Sequence, residues 1–280
     1  MGALTSSVVR YLRIALKYRF ELLVDAAYLI AMMVAFGFIG NVVSPNPEFL
    51  AYSFRTFILV NIFFWSFMEN GYMEATRIVP EEARLGTLGT LMNNNVSPLT
   101  LIVSQMAARS ILNALIAIVV FLPVFFLLGI GSIDLPGLAY LSAVIFLSWL
   151  YVLAVAILMG SLSLMLKKIG AAAGVFLQVL KVGSGFFFPV AAFSTFVWPL
   201  SELPSLLRII PVTKGLEVAR DIIILGRLPG SEGSFLSVSG VPLDPILIMV
   251  TGVAAGLVIS LAFYRFVERK SMKLGMIEHY

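Results

Sequence analysis

The chain has 280 residues, 60% hydrophobic and only 12% charged, with a net charge of +4 and a mean hydropathy of +1.01. A soluble domain carries about 25% charged residues; this composition, with apolar runs of about 20 residues or more, excludes an ordinary globular domain and points to membrane spans. With no cysteine and a single histidine, His279 in the tail, a disulfide framework and a thiolate metal site are excluded, and the usual His- or Cys-based hydrolytic chemistry is poorly supplied.

In chain order, residues 1–21 read as an amphipathic interfacial helix. Leu4, Val8, Leu12 and Leu16 recur every four residues, while Arg10, Arg13 and Lys17 fall on another face suited to anionic headgroups. The alternative is a short solvated leader helix. The first apolar run is too long for the h-region of a cleavable signal peptide. Spans follow at 22–43, 54–75, 99–128, 137–166, 170–193 and 245–266. The third and fourth are long enough that they must tilt or protrude. A polar segment, 76–98, separates spans two and three. A proline-rich segment, 194–243, precedes span six, with apolar patches at Leu206, Ile209 and Ile210 and at Val218, Ile222 and Leu225. Proline breaks helices, so short helices, some re-entrant, are expected there. The fold expected is an all-α membrane protein, one transmembrane domain over 1–280 with six transmembrane helices.

Basic residues orient it. Arg10, Arg13, Lys17 and Arg19 precede span one, and Arg265, Arg269, Lys270 and Lys273 follow or close span six. The opposite side holds the smaller set Arg55, Arg208, Lys214, Arg220 and Arg227. Both termini and the 76–98 segment are therefore expected in the cytoplasm of a multi-pass cell-membrane protein, with 194–243 outside.

The 76–98 segment contains "EARLGTLGTLMNNNVSP". Leu85, Leu88 and Met92 fall on one helical face, Glu81, Glu82 and Arg84 stay polar, and the Asn93–Asn95 run stops the helix. A short amphipathic cytoplasmic helix is what a membrane protein offers to the groove of a soluble partner.

Polar stripes mark the spans. Gly174, Gln178, Lys181 and Gly185 share a face of span five; Asn61, Trp65 and Glu69 share one of span two. A charge in the middle of a span costs at least about 2.5–3.5 kcal/mol. Lys181 is thus expected to face protein or a watery cavity, with Glu69 as a partner, unless the register shifts and it snorkels. A third stripe, Gln105, Arg109 and Asn113, reads as a helix end protruding into the cytoplasm.

Glu82-x-x-x-Gly86-Thr87-Leu88, with Pro98 ten residues later, resembles the motif of ABC-2 type permeases, the membrane subunits of one class of ABC exporters. Gly89 departs from that pattern, which usually has a second glutamate there. "LPSLLRIIPVTKGLEVARDIIILG" (203–226) resembles the family's extracellular segment. The resemblance implies that Glu82, Leu85, Gly86, Thr87, Leu88 and Met92 belong to a coupling helix seated on an ATPase subunit. It also implies that spans two and five line the pathway, through Asn61, Trp65, Glu69, Gln178, Lys181 and Gly185. None of the seven lysines stands in a G-x-x-x-x-G-K-[ST] loop, so ATP and magnesium are expected on the partner. Two ATPase subunits and a second permease copy, as a homodimer, complete the implied exporter of a drug-like or lipid-linked amphiphile. No catalytic group, resident cofactor, metal site or nucleic-acid partner is expected. The competing reading is a gradient-driven transporter or channel with Lys181 and Glu69 as an ion relay.

Overall fold

The computed structural model describes residues 2–42, 52–127, 134–166, 169–195, 203–227, 236–238 and 241–273. Val43, Leu128, His279 and residues 196–202, 228–235 and 239–240 of the proline-rich segment lie outside the described residues.

Helix α1 (Ala3–Lys17) stops at Tyr18, whose backbone (φ −90°, ψ 58°) leaves the helical region, and α2 (Arg19–Val42) starts at once. The apolar stripe of α1 divides. Val8 and Leu12 pack against the core and Tyr11 is buried, whereas Leu4 and Leu16 stay exposed. Much of the face expected to meet lipid is therefore spent on α6 (Pro98–Leu127), along which α1 lies.

The second expected span is two helices, α3 (Phe54–Ser66) and α4 (Glu69–Arg84). Ser53 caps α3 by accepting from Thr56 N at 3.2 Å. The helix breaks where Ser66 Oγ donates back to Phe63 O (2.6 Å) and Met68 N donates to Trp65 O (3.0 Å), a tighter three-residue turn. Beyond the break α4 runs to Arg84, past the expected end at Ala75. It stops in a Schellman turn: Gly86 N donates to Ala83 O and Thr87 N to Glu82 O, both at 3.0 Å, with Gly86 at φ +72°. The single helix expected across 82–92 is thus cut at Gly86. Its remainder is α5 (Leu88–Asn93), ended by Asn95 at φ 59°, as the asparagine run suggested.

Helix α6 opens with Pro98 behind the Ser97 cap, and α7 (Leu135–Leu162) behind Asp134, which accepts from Gly137 N at 2.8 Å. Span five was expected to Phe193, but α8 (Gly170–Gly183) has only 14 residues. That is about 21 Å, short of a hydrocarbon core of about 30 Å. Gly185 (φ +79°) ends it in a second Schellman turn, and a 3-10 helix (Val190–Thr195) follows. Helices α9 (Leu203–Leu207) and α10 (Pro211–Leu225) lead to a short antiparallel pair, β1 (Leu236–Val238) and β2 (Val241–Leu243), a small departure from an all-α chain. Helix α11 (Pro245–Lys273) closes the described fold.

Four of these helices, in α2, α6, α7 and α11, are long and apolar enough to cross a membrane. Helix α4 stands among α6, α7 and α8, and around the α3–α4 break Phe57, Phe64, Trp65, Met68 and Tyr72 are fully buried. Helix α10 is sunk into the bundle against α3, α7 and α11, so Val218 and Ile222 are core residues while Leu206 and Ile209 on and after α9 remain exposed. Gly215 permits that depth: a Cβ there would stand 2.3 Å from Ser148 Oγ on α7.

Candidate functional site

At one end of α4 lies a polar knot centred on Glu82. Its carboxylate is buried. Oε1 accepts from Arg10 at 3.1 Å and from the Tyr11 hydroxyl at 3.2 Å, and Oε2 accepts from Thr87 Oγ1. One side chain thus fastens α1 to the turn that ends α4. Burial, then the adjacent Glu82 carboxylate, push the Tyr11 phenol above its ordinary value, so it remains a donor at neutral pH.

The six residues of the resemblance motif divide around this turn. Leu85 is 64% exposed, and Gly86 and Thr87 are exposed beside it. Leu88 is 3% exposed and Met92 half-buried; these two anchor α5 to the bundle rather than continuing the face of Leu85. Glu82 points inward, so the outward surface at this end is Glu81, Arg84, Leu85, Gly86 and Thr87, extended by Gly89 and Thr90.

At the other end of α4 the two expected stripes meet. Lys181 Nζ lies 2.9 and 3.1 Å from the Glu69 carboxylate oxygens and 4.4 Å from the Phe186 ring centre. Trp65 Nε1 donates to Ser184 Oγ (3.2 Å), and Asn61 Nδ2 donates to Phe186 O (2.8 Å). Tyr72, the next residue on this face, donates to Ala173 O at 3.1 Å. Helices α3 and α4 are therefore fastened to α8 by a polar seam. Because Gly185 ends α8 early, the freed carbonyls of Gly185 and Phe186 become acceptors in it. Of the six residues expected along a pathway, Asn61, Trp65, Glu69, Lys181 and Gly185 come together in this seam, and Gln178 stays exposed on α8.

Two participants escaped the sequence reading. Arg220, placed outside from charge counting alone, reaches in from α10: Nε donates to Asn61 Oδ1 (2.7 Å), a terminal nitrogen donates to Gly185 O (2.6 Å), and the guanidinium lies 4.3 Å from the Phe57 ring centre. Arg109, expected to protrude into the cytoplasm, is buried. It pairs with Glu21 and Asp25 of α2, each at 2.8 Å, while Gln105 donates to Glu74 at 3.4 Å. The signal was present in Glu21 and Asp25, four residues apart on one face of α2, a spacing that complements the α6 stripe. A small cleft of 40 Å³, lined by Asp25, Tyr28, Ser66, Glu69, Asn70 and Asn113 among others, lies between the two ion-pair groups. Among the described residues no group of three or more His, Cys, Asp or Glu side chains is placed to hold a metal.

Long apolar helices, ion pairs buried between them and an exposed polar turn at one end define a multi-pass helical membrane protein. The sequence model of the ABC-2 type transporter family matches residues 3–224, and the chain belongs to that family, the permease component that normally works with a separate ABC ATPase. Among curated proteins, no sequence matches this chain.

Proposed function

We propose that the chain is the permease subunit of an ATP-driven exporter, two copies working with two ATPase subunits in the cell membrane, with both termini in the cytoplasm. The turn Leu85–Thr87 and the outward side of α5 seat on the ATPase as the coupling element. The observation that carries this reading is the course of α4. Its 16 residues, about 24 Å of helix, join the exposed turn at one end to the Lys181–Glu69 pair at the other. A helix held at both ends, even with Pro80 in its interior, carries a rigid-body shift that a flexible loop would absorb.

Helix α8 supplies the wall of the path. Gln178 is exposed between the exposed Val175 and Val179 on a helix otherwise suited to lipid. An intramembrane polar side chain is placed toward protein or water, so this face meets the second permease copy across the path. Asn61, Trp65, Glu69, Lys181 and Gly185 hold the wall in place behind it. The exposed apolar lining suits a drug-like or lipid-linked amphiphile moved outward from the cytoplasm or inner leaflet.

The test uses single cysteines at Leu85 and Thr90, which are exposed, paired with cysteines on the ATPase; the chain has none of its own to interfere. Cross-links in the assembled complex support the reading, and their absence from both positions overturns it. The ion pair between Lys181 and Glu69 also suits a gradient-driven carrier. Transport by vesicles holding this chain alone, driven by an ion gradient without ATP, would favour that second reading.

A further inference from the structure

A cavity of 620 Å³ opens on the side of the bundle between α2, α3 and α6, away from the polar seam. Ile30, Val34 and Phe38 of α2 form one wall and Val119 and Val124 of α6 the other; all except Val124 are strongly exposed. Its volume falls within the usual range for ligand sites, about 300–1,000 Å³. Among the described residues nothing fills it at Gly37, where an added Cβ would meet no atom within 4 Å. Along α2 it runs from Ile30 to Asn41, about 16 Å at 1.5 Å per residue. One leaflet of a hydrocarbon core is about 15 Å deep, so the groove is as long as one acyl layer.

Its upper end carries Arg55. This half-buried arginine lies in the first turn of α3, at the positive pole of the helix, where a cation is unfavourable. Among the described residues it has no hydrogen-bond or ion-pair partner. Its backbone is also held in position: Gly40 of α2 packs so closely that a Cβ there would stand 2.5 Å from Arg55 Cα. A cation over a leaflet-deep apolar groove, at a helix end that itself favours anions, is complemented by an anionic head carried on an acyl chain.

We infer that this groove binds an anionic phospholipid from the leaflet remote from α1, with an acyl chain along α2 and the phosphate on Arg55. The charge selects the headgroup and the groove selects the chain. The binding needs no nucleotide, so it stands or falls separately from the transport reading.

The experiment is native mass spectrometry of the full-length chain in detergent. It is offered equal amounts of phosphatidylglycerol and phosphatidylcholine with identical acyl chains. Wild type is expected to retain phosphatidylglycerol about fivefold over phosphatidylcholine, the ratio that corresponds to about 1 kcal/mol for one arginine at the membrane surface. Arg55→Lys keeps the preference, and Arg55→Gln loses it. Should Arg55→Gln fail to fold, Val119→Trp, which adds bulk at an exposed wall, must lower retention of both lipids several-fold with Arg55 intact. Equal retention of the two lipids by wild type overturns the inference, as does an unchanged preference in Arg55→Gln. Loss of the preference on adding inorganic phosphate would mark a free-anion site instead. Efficient disulfide formation between two Phe38→Cys chains, without retained lipid, would place a second copy on the groove. Either result also overturns the inference.

Discussion

The Glu82 knot yields the sharpest test of how α1 is fastened to the end of α4. Glu82→Gln keeps one acceptor oxygen but removes the charge and turns the other oxygen into a donor that faces donors. Three contacts change. The Arg10 pair is the weakest, because Arg10 is 41% exposed and such pairs contribute about 0–1 kcal/mol. The Tyr11 hydroxyl is buried, and leaving a buried donor poorly satisfied costs about 1–3 kcal/mol. The Thr87 contact tightens the turn after α4, and its loss costs about 1 kcal/mol. The expected sum is about 2–5 kcal/mol, carried chiefly by Tyr11. A double-mutant cycle with Tyr11→Phe isolates that share, read as thermal midpoints of the detergent-solubilised protein. Glu82→Gln and Tyr11→Phe should couple by about 1 kcal/mol or more, whereas Arg10→Ala and Glu82→Gln should couple less. Effects that add to within about 0.3–0.5 kcal/mol would mean independent sites, and the knot would then not fasten α1 to α4.

Other consequences follow from the same geometry. Lys181→Ala leaves Glu69 uncompensated against the buried end of α8. Breaking a buried pair costs about 3–5 kcal/mol, and because Glu69 is partly exposed the expected loss is about 1–2 kcal/mol; Glu69→Gln in the same chain should recover part of it, and no recovery would argue against the pair. Gly86→Ala should cost about 1 kcal/mol, because φ is +72° there, while Gly86→Pro cannot form the turn at all and should abolish the Leu85 cross-link to the ATPase; an undiminished cross-link would defeat the coupling assignment. Tyr11 should ionise above free tyrosine in an ultraviolet difference titration against Tyr11→Phe. Since its folded value is raised, its contribution is complete below the ordinary tyrosine range and is lost only as pH rises through the higher folded value; ionisation at the ordinary value would contradict its burial beside Glu82. Arg109→Ala strands Glu21 and Asp25 and should lower the thermal midpoint more than Arg13→Ala, a basic residue of α1 with no ion pair among the described residues; equal effects would place Arg109 at the surface.

Hydrophobic length made the long helices legible in the sequence, because a run of 24 to 30 apolar residues has few other uses. The Lys181–Glu69 pairing was legible for a related reason: few other charges lie deep enough to satisfy each other. Helix breaks were harder to read. Phe54 to Val79 carries no proline and reads as one helix, and the interruption at Met68 comes from tertiary anchors, Trp65 on Ser184 and Glu69 on Lys181, which no local propensity reports. The end of α8 was hidden similarly. Gly185 was singled out as a stripe member, since glycine at that spacing also suits close helix packing, yet its positive φ makes it a terminator that turns backbone carbonyls toward Asn61 and Arg220. Arg220 marks the limit of charge counting. An arginine in a segment expected outside the membrane can still be drawn into the bundle when α10 is amphipathic enough to bury a whole face, with Asn61, a main-chain carbonyl and the Phe57 ring receiving the charge. At Glu82 the motif singled out a residue whose side chain the structure turns inward. A glutamate beside an exposed turn can touch a partner or build the turn; three donors, from Arg10, Tyr11 and Thr87, decide for building, so the proposed contact with an ATPase would fall to the exposed neighbours Arg84, Leu85, Gly86 and Thr87.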